Sequence, residues 1–260
     1  MYLSKEPLDI SVIYYTSNYL EEQNPIFVEN TKHYLKKAIG DHPLISVSHK
    51  PMEFGQNVVF QAKERSHLNI YRQILTGCRV AKTEFVAMAE DDILYSYAHF
   101  HTLTPKSDTF LYDMQKLSIF TWTKPPMFSF RTRRKVVNQL IAPRKMLLEA
   151  MEERFERVEF LLKKGWDIEH IKSKFGDPGR YENLLGVTER KTQEEFLGVP
   201  SIVFTHPKAF GYEFNHGKRK RIGDVRIIEE AYWGRAEHIV QLYYKPWYEI
   251  EGLNIYEPTN

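Results

Sequence analysis

The stretch FVAMAEDD, residues 85–92, decides the reading of this chain. Phe85 to Ala89 is a short, uninterrupted apolar run between polar neighbours, which is how a buried central strand reads. Glu90, Asp91 and Asp92 follow at its end. Three adjacent carboxylates at the mouth of a buried strand repel one another, and a hard divalent cation offsets that repulsion best. A solvated acidic turn is the plain alternative, and the apolar strand before it argues against that.

Working back from this strand, Asn69 to Val80 reads as a helix. Ile70, Ile74 and Cys78 recur at four-residue spacing, with Tyr71 and Leu75 beside them. Residues 51–60 contain Gly55 and Asn57 and read as a loop. Leu44 to His49 is a short alternating strand. Pro25 to Ala38 is a helix, with Pro25 in its first turn and Gly40 as its stop. Asp9 to Tyr15 is a strand rich in β-branched and aromatic residues. Strand and helix alternate through this half, which predicts an α/β fold with a Rossmann-like, mostly parallel sheet flanked by helices.

Ligands of such sheets sit outside the carboxyl ends of the strands. The residues to inspect are therefore Thr16-Ser17-Asn18, His49-Lys50 and Glu90-Asp91-Asp92.

Downstream, Asp108 to Tyr112 and Leu117 to Thr123 are candidate strands. Lys145 to Lys163 is an amphipathic helix through Leu147, Met151, Phe155, Val158 and Leu162, stopped by Gly165. Residues 173–200 read as a long loop region, Ser201 to Thr205 as a strand, and Glu229 to Leu242 as partly helical.

With 260 residues the chain can bury a real core, and no repeat or flexible linker divides it. It reads as one compact domain, 1–260. Lys and Arg number 36 against 34 Asp and Glu, so overall charge does not point to a nucleic-acid partner and local unevenness matters more. Residues 131–145 hold six basic and no acidic side chains, and residues 217–221 hold four more basic ones. The single Cys78 excludes an internal disulfide framework and a Cys-rich zinc site, and fits a reducing compartment. No apolar run has membrane-spanning length and the start lacks a secretory pattern, so a cytoplasmic location is expected. Dinucleotide-binding, P-loop, serine-hydrolase and zinc-protease motifs are absent.

The segment SHLNIYRQILTGCRVAKTEFVAMAEDDILY, residues 66–95, resembles the donor-binding half of GT-A glycosyltransferases. The resemblance runs over about residues 9–95 and implies a single GT-A-like domain with a nucleotide-sugar-binding half at about 1–95 and an acceptor-binding half at about 96–260. In that family a strand delivers an Asp-x-Asp-type motif onto a metal that holds the diphosphate of a nucleotide sugar. The resemblance implies that Asp92 is the direct metal ligand and that Asp91 or Glu90 contacts the ribose or the donor sugar. The strict pattern has Asp where Glu90 stands. Mn²⁺ or Mg²⁺ suits a site of few carboxylates plus phosphate oxygens.

A further protein ligand would come from far along the chain. His216 in Asn215-His216-Gly217 is the first candidate and His206 its rival. Thr16, Ser17 and Asn18 should lie against base and ribose. Arg65, Ser66 and Asn69 are placed to reach phosphate or ribose at a helix N-terminus, although Ser66 with Asn69 is also a helix-start signal without any ligand.

An inverting enzyme needs a carboxylate base for the acceptor hydroxyl. Glu182 and Asp177, in a Gly- and Pro-containing stretch, are the candidates. Lys218 and Arg219 follow His216 and would clamp the leaving phosphates. Arg131, Arg133 and Arg134 lie next to Phe128 and Phe130, a mixture suited to a polynucleotide. A hydroxymethyl-pyrimidine in DNA, reached by flipping, is an acceptor of this kind.

The sequence thus predicts a metal-dependent glycosyltransferase using a nucleotide sugar, with UDP as its nucleotide. Two rival readings are a nucleotidyltransferase that also uses strand-end carboxylates with Mg²⁺, and a non-catalytic nucleic-acid-binding module.

Overall fold

A computed structural model describes residues 8–62, 65–103, 105–130, 135–175, 185–196, 198–207, 225–253 and 255, with the side chains of 172–175 excepted. The first sheet is built on β1 (Ile10–Thr16), β2 (Leu44–Ser48), β3 (Gln56–Val59) and β4 (Phe85–Ala89), all parallel. Helix α1 (Tyr19–Gln23) and helix α2 (Pro25–Ile39) lie between β1 and β2, and α3 (His67–Val80) lies between β3 and β4. Strand β6 (Thr109–Asp113), β9 (Leu140–Pro143) and β10 (Lys191–Glu195) complete it in the order β10-β6-β9-β4-β1-β2-β3. Only β9 runs against its neighbours β4 and β6. The architecture is mixed α/β, with a mostly parallel sheet flanked by helices, as the alternating sequence predicts.

Each helix has local reasons to form. Asn24 caps α2 by accepting from the Phe27 N–H at 3.2 Å, Pro25 occupies the first turn, and Gly40 closes it at φ 55°. Ser66 caps α3, accepting from the Asn69 N–H at 3.1 Å. Side chains alternate across the sheet. Ile13, Tyr15, Val86 and Met88 face Tyr71, Ile74 and Cys78 of α3, with Leu147 and Met151 of α5 (Arg144–Lys163) behind. Val12, Tyr14 and Ala87 face Leu35 and Ile39 of α2 on the other side, with Phe100 of α4 (Tyr97–His101). Each large side chain so buried contributes about 1.5–3 kcal/mol. Gly77 lets α3 approach β1, since a Cβ there would stand 2.5 Å from Ile13 Cγ2. Burial raises the Cys78 thiol to about 12, so it is a core residue and no nucleophile.

A second sheet joins β5 (Ile93–Leu94), β7 (Lys116–Phe120), β8 (Phe128–Phe130), β11 (Ser201–Thr205) and β12 (Arg226–Ile227), in the order β12-β8-β7-β11-β5. Its core includes Ile119, Phe128, Ile202 and Phe204, packed with Phe27 of α2 and with Trp233 and Ile239.

The structure corrects several sequence expectations. The 51–60 loop contains β3, an edge strand held by Asn57, whose amide donates to Ser46 Oγ at 3.0 Å and Ser48 Oγ at 2.8 Å. The 173–200 region contains the edge strand β10, paired in parallel with β6, and the last turn of α6 (Ile168–Phe175). Leu161 rather than Leu162 continues the buried face of α5, because the apolar stripe drifts around the helix near its end; Leu162 is 40% exposed. The partly helical reading of 229–242 holds: Ala236–Ile239 is α-helical and Val240–Tyr243 continues as a 3₁₀ turn. Among the described residues no helix is long and apolar enough to cross a membrane.

Candidate functional site

From β1 the chain moves outward to β2 and β3, then returns through α3 to β4 on the other flank of β1. The carboxyl ends of β1 and β4 therefore border a topological switch point, where open α/β sheets leave a crevice. A cleft of about 130 Å³ opens there. It is lined by residues at the end of β1 (Tyr15, Thr16, Ser17), after β2 (His49), at the start of α3 (Arg65, Ser66, Asn69) and after β4 (Glu90, Asp91, Asp92). His206, just after β11, closes one side, and Tyr19 and Leu20 of α1 contribute apolar surface.

The three carboxylates have separate surroundings. Glu90 is held from two sides: the Tyr15 hydroxyl donates to Oε1 at 2.7 Å and the Asn138 amide donates to Oε2 at 2.7 Å. Tyr95 braces the same turn, accepting from the Glu90 N–H at 3.2 Å and donating to the Asn138 carbonyl at 3.0 Å. Asp91 Oδ2 accepts from the Thr16 hydroxyl at 2.6 Å, and the Asp91 carbonyl accepts from Thr31 at 3.0 Å. Loss of water raises the Asp91 carboxyl to about 6; the Thr16 hydrogen bond opposes the rise and the Glu90 charge adds to it.

Asp92 points to a different neighbour. Its Oδ2 lies 3.8 Å from His206 Nε2. The Asp92 carbonyl accepts from the Phe204 N–H at 2.9 Å, which fixes the carboxylate beside the end of β11. His206 is 1% exposed and its ring packs against both Phe27 and Tyr243, with centroids at 5.9 and 5.4 Å.

The other rim is tied by backbone contacts. Asn18 sits at φ 59°, in the left-handed region that Asn tolerates. Its N–H donates to Thr16 Oγ1 at 2.9 Å and its Oδ1 accepts from the Lys50 N–H at 2.8 Å. Gln73 of α3 donates to the carbonyls of Thr16 and Val47, each at 2.8 Å. The Arg65 guanidinium lies 3.8 Å over the Tyr19 ring at the cleft mouth. His49 presents a buried Nε2 that none of the described residues engages, and burial lowers its basicity, so it faces the cleft as a neutral imidazole.

Of the residues singled out in the sequence, Thr16, Ser17, Arg65, Ser66, Asn69, Glu90, Asp91, Asp92 and the rival histidine His206 line this cleft. Asn18 does not line it and instead links the ends of β1 and β2. Ser66 both lines the cleft and caps α3. Asp177, Glu182, His216, Lys218, Arg219, Arg131, Arg133 and Arg134 lie outside the described residues. Sequence reasoning missed Tyr15, Gln73, Tyr95 and Asn138, and gave His49 no role. Tyr15 and Gln73 sit next to or at helical spacing from flagged residues, which was a usable signal; Asn138 had none. Among the described residues no group of three or more His, Cys, Asp or Glu side chains is arranged to hold a metal ion.

No protein-family model matches the chain, and no curated protein does. Among solved structures it is similar to S. aureus TarS, at 13% identity and a TM-score of 0.45 over 79% of this chain and 38% of that one. It is also similar to S. aureus TarS 1–349 in complex with UDP, at 13% identity and a TM-score of 0.45 over 79% of this chain and 63% of that one. The bifunctional IspDF from Campylobacter jejuni aligns at 10% identity and a TM-score of 0.35 over 72% of this chain and 49% of that one. The chain spans about two-fifths of the length of the first of these. Likeness at these scores assigns no activity to it.

Proposed function

We propose that this chain is a metal-dependent glycosyltransferase of the GT-A type, moving a sugar from a UDP-sugar to an acceptor hydroxyl. The observation that carries the reading is the pairing of Asp92 with His206 at 3.8 Å on the rim of a cleft at the β1/β4 switch point. A carboxylate and an imidazole this close fit two ligands of one small divalent cation, and Mg²⁺ or Mn²⁺ takes its remaining positions from water and phosphate oxygens. Asp92 and His206 would hold that ion. When bound, it would supply positive charge to the diphosphate that leaves.

The chain's own groups account for the rest of the cleft. Thr16, Ser17, Tyr19 and His49 face the space for base and ribose. Arg65, Ser66 and Asn69 bring a guanidinium and the N-terminus of α3 toward phosphate. Glu90 and Asp91 are held by Tyr15, Asn138 and Thr16, so they are pre-positioned for sugar or ribose hydroxyls. In the transfer, the acceptor oxygen forms a bond to the anomeric carbon. The bond from that carbon to the diphosphate breaks, the nucleoside diphosphate keeps the electron pair, and the acceptor proton passes to a base. Asp177 and Glu182 remain the proposed bases for an inverting reaction.

The test is turnover of UDP-sugars with Mn²⁺ or Mg²⁺, comparing the native chain with Asp92→Ala. Release of UDP that depends on Asp92 supports the reading. Release of pyrophosphate would indicate nucleotidyl transfer instead, and full activity in the variant would reject the metal role.

A further inference from the structure

Tyr95 is buried and holds the acidic turn by one hydroxyl, which accepts from the Glu90 N–H at 3.2 Å and donates to the Asn138 carbonyl at 3.0 Å. That carbonyl belongs to the residue whose amide grips Glu90 Oε2. Where the Tyr95 ring sits therefore bears on where Glu90 sits. The ring rests on Phe100, with centroids 5.5 Å apart, and on His99, at 5.2 Å.

His99 is anchored in turn. Its Nδ1 lies 2.8 Å from Asp113 Oδ2, and both side chains are fully buried. Asp113 Oδ1 accepts from the Gln115 N–H at 2.9 Å. Asp113 ends β6, and continuing the β6–β9 register, in which Tyr112 faces Leu140, sets it beside Gln139, the residue after Asn138. The contacts thus close a ring that runs from Asp113 through His99, Tyr95 and Asn138 and back across the sheet. His99 Nε2 is buried, and none of the described residues engages it. A bare ring nitrogen tolerates that better than an N–H does, which places the proton on Nδ1, donated to Asp113.

We propose that His99 and Asp113 are positioning residues for Glu90, acting through the Tyr95 ring. This rests on the donor-binding reading of the cleft, in which Glu90 meets a hydroxyl of the sugar nucleotide. A buried pair of this kind is often no more stabilising than apolar residues of its volume; what it adds here is a fixed ring orientation. Asp113 keeps the proton on Nδ1, so His99 stays against Tyr95 with Nε2 bare. A proton on Nε2 would force the ring to turn toward an acceptor, and Tyr95 would lose its backing.

The experiment reads the His99 ring nitrogens by ¹⁵N NMR, and the hydrogen exchange of the Glu90 amide relative to that of Val47 in the central sheet. It compares the native chain with Asp113→Asn, His99→Asn and Tyr95→Phe. In Asp113→Asn the Gln115 N–H keeps the amide oxygen, so the amide nitrogen donates to His99 Nδ1 and the ring proton moves to Nε2. Glu90 should then exchange about tenfold faster relative to Val47, the size of one lost hydrogen bond. His99→Asn retains a donor for Asp113 but no ring against Tyr95, and should give the same acceleration. Tyr95→Phe should give it too, with the proton still on Nδ1. Turnover of UDP-sugars with Mn²⁺ should fall about tenfold or more in all three. Unchanged relative exchange of Glu90 in His99→Asn or Tyr95→Phe overturns the proposal, as does a proton on Nε2 in the native chain. Full turnover in variants whose Glu90 has loosened overturns it as well. A native chain that turns over no UDP-sugar, while Glu90 responds as expected, sinks the donor reading and leaves the positioning of Glu90 standing.

Discussion

The Thr16 hydroxyl donates to Asp91 Oδ2 at 2.6 Å, joining residues 75 positions apart across the ends of two adjacent parallel strands. The same oxygen accepts from the Asn18 N–H, so one hydroxyl both closes the β1 turn and anchors the acidic turn. Thr16→Val keeps the shape and removes the bond. A buried carboxyl deprived of its donor costs about 1–3 kcal/mol. Urea unfolding at neutral pH should show that loss with an unchanged m-value.

Asp92→Ala and His206→Ala should each lower sugar-nucleotide turnover by about a hundredfold or more, the usual effect of removing a group that stabilises developing charge. Chelation of divalent ions should abolish turnover in the native chain, and Mn²⁺ should restore it. Equal turnover with and without the chelator would contradict the assignment.

His49→Ala removes a neutral imidazole facing the cleft. The expected result is nucleotide affinity about tenfold weaker, the size of one lost hydrogen bond of about 1.4 kcal/mol, with little change in Tm. Calorimetric titration with UDP measures it.

Glu153 gives a pH-dependent prediction away from the cleft. The Arg190 guanidinium holds its carboxyl down to about 2, helped by the Thr188 and Val187 N–H groups. A depressed carboxylate adds stability above the ordinary Glu range, and that stability is lost as pH falls through the folded value. Discounted for solvent screening, Glu153→Gln should cost about 1–2 kcal/mol at pH 7. The difference between the two proteins should shrink from about pH 4.5 downward, as read by denaturation at several pH values.

Gly77→Ala should destabilise by about 1–3 kcal/mol even though Ala is the better helix former, because the new methyl meets Ile13 at 2.5 Å. A raised Tm would show that α3 can back away from β1.

The central strands and the acidic turn were legible because their evidence is local. FVAMA is apolar throughout and buried throughout, and the carboxylates follow at once. The edge strands were not. QNVV and KTQEE carry polar side chains on both faces, and only pairing with β2 and β6 makes them strands. The separation of β7 and β11 into a second sheet was likewise invisible, since a five-residue strand does not announce its partner. In the cleft, residues next to strand ends were found from position alone. Asn138 was not, because it reaches Glu90 from 48 residues downstream with no periodic signal. His206 was only the rival of His216 in the sequence, because nothing local shows that the N–H of Phe204 meets the Asp92 carbonyl and so brings His206 alongside.

The reversed direction of β9 has a consequence for the cleft's upkeep. A parallel strand at that place would begin at the far border and present only its exit to the acidic turn. Because β9 descends instead, its entrance lies there, and the 3₁₀ turn Val137–Gln139 above it carries Asn138 onto Glu90. One inverted strand thereby turns what would be a remote connection into a brace for the working rim.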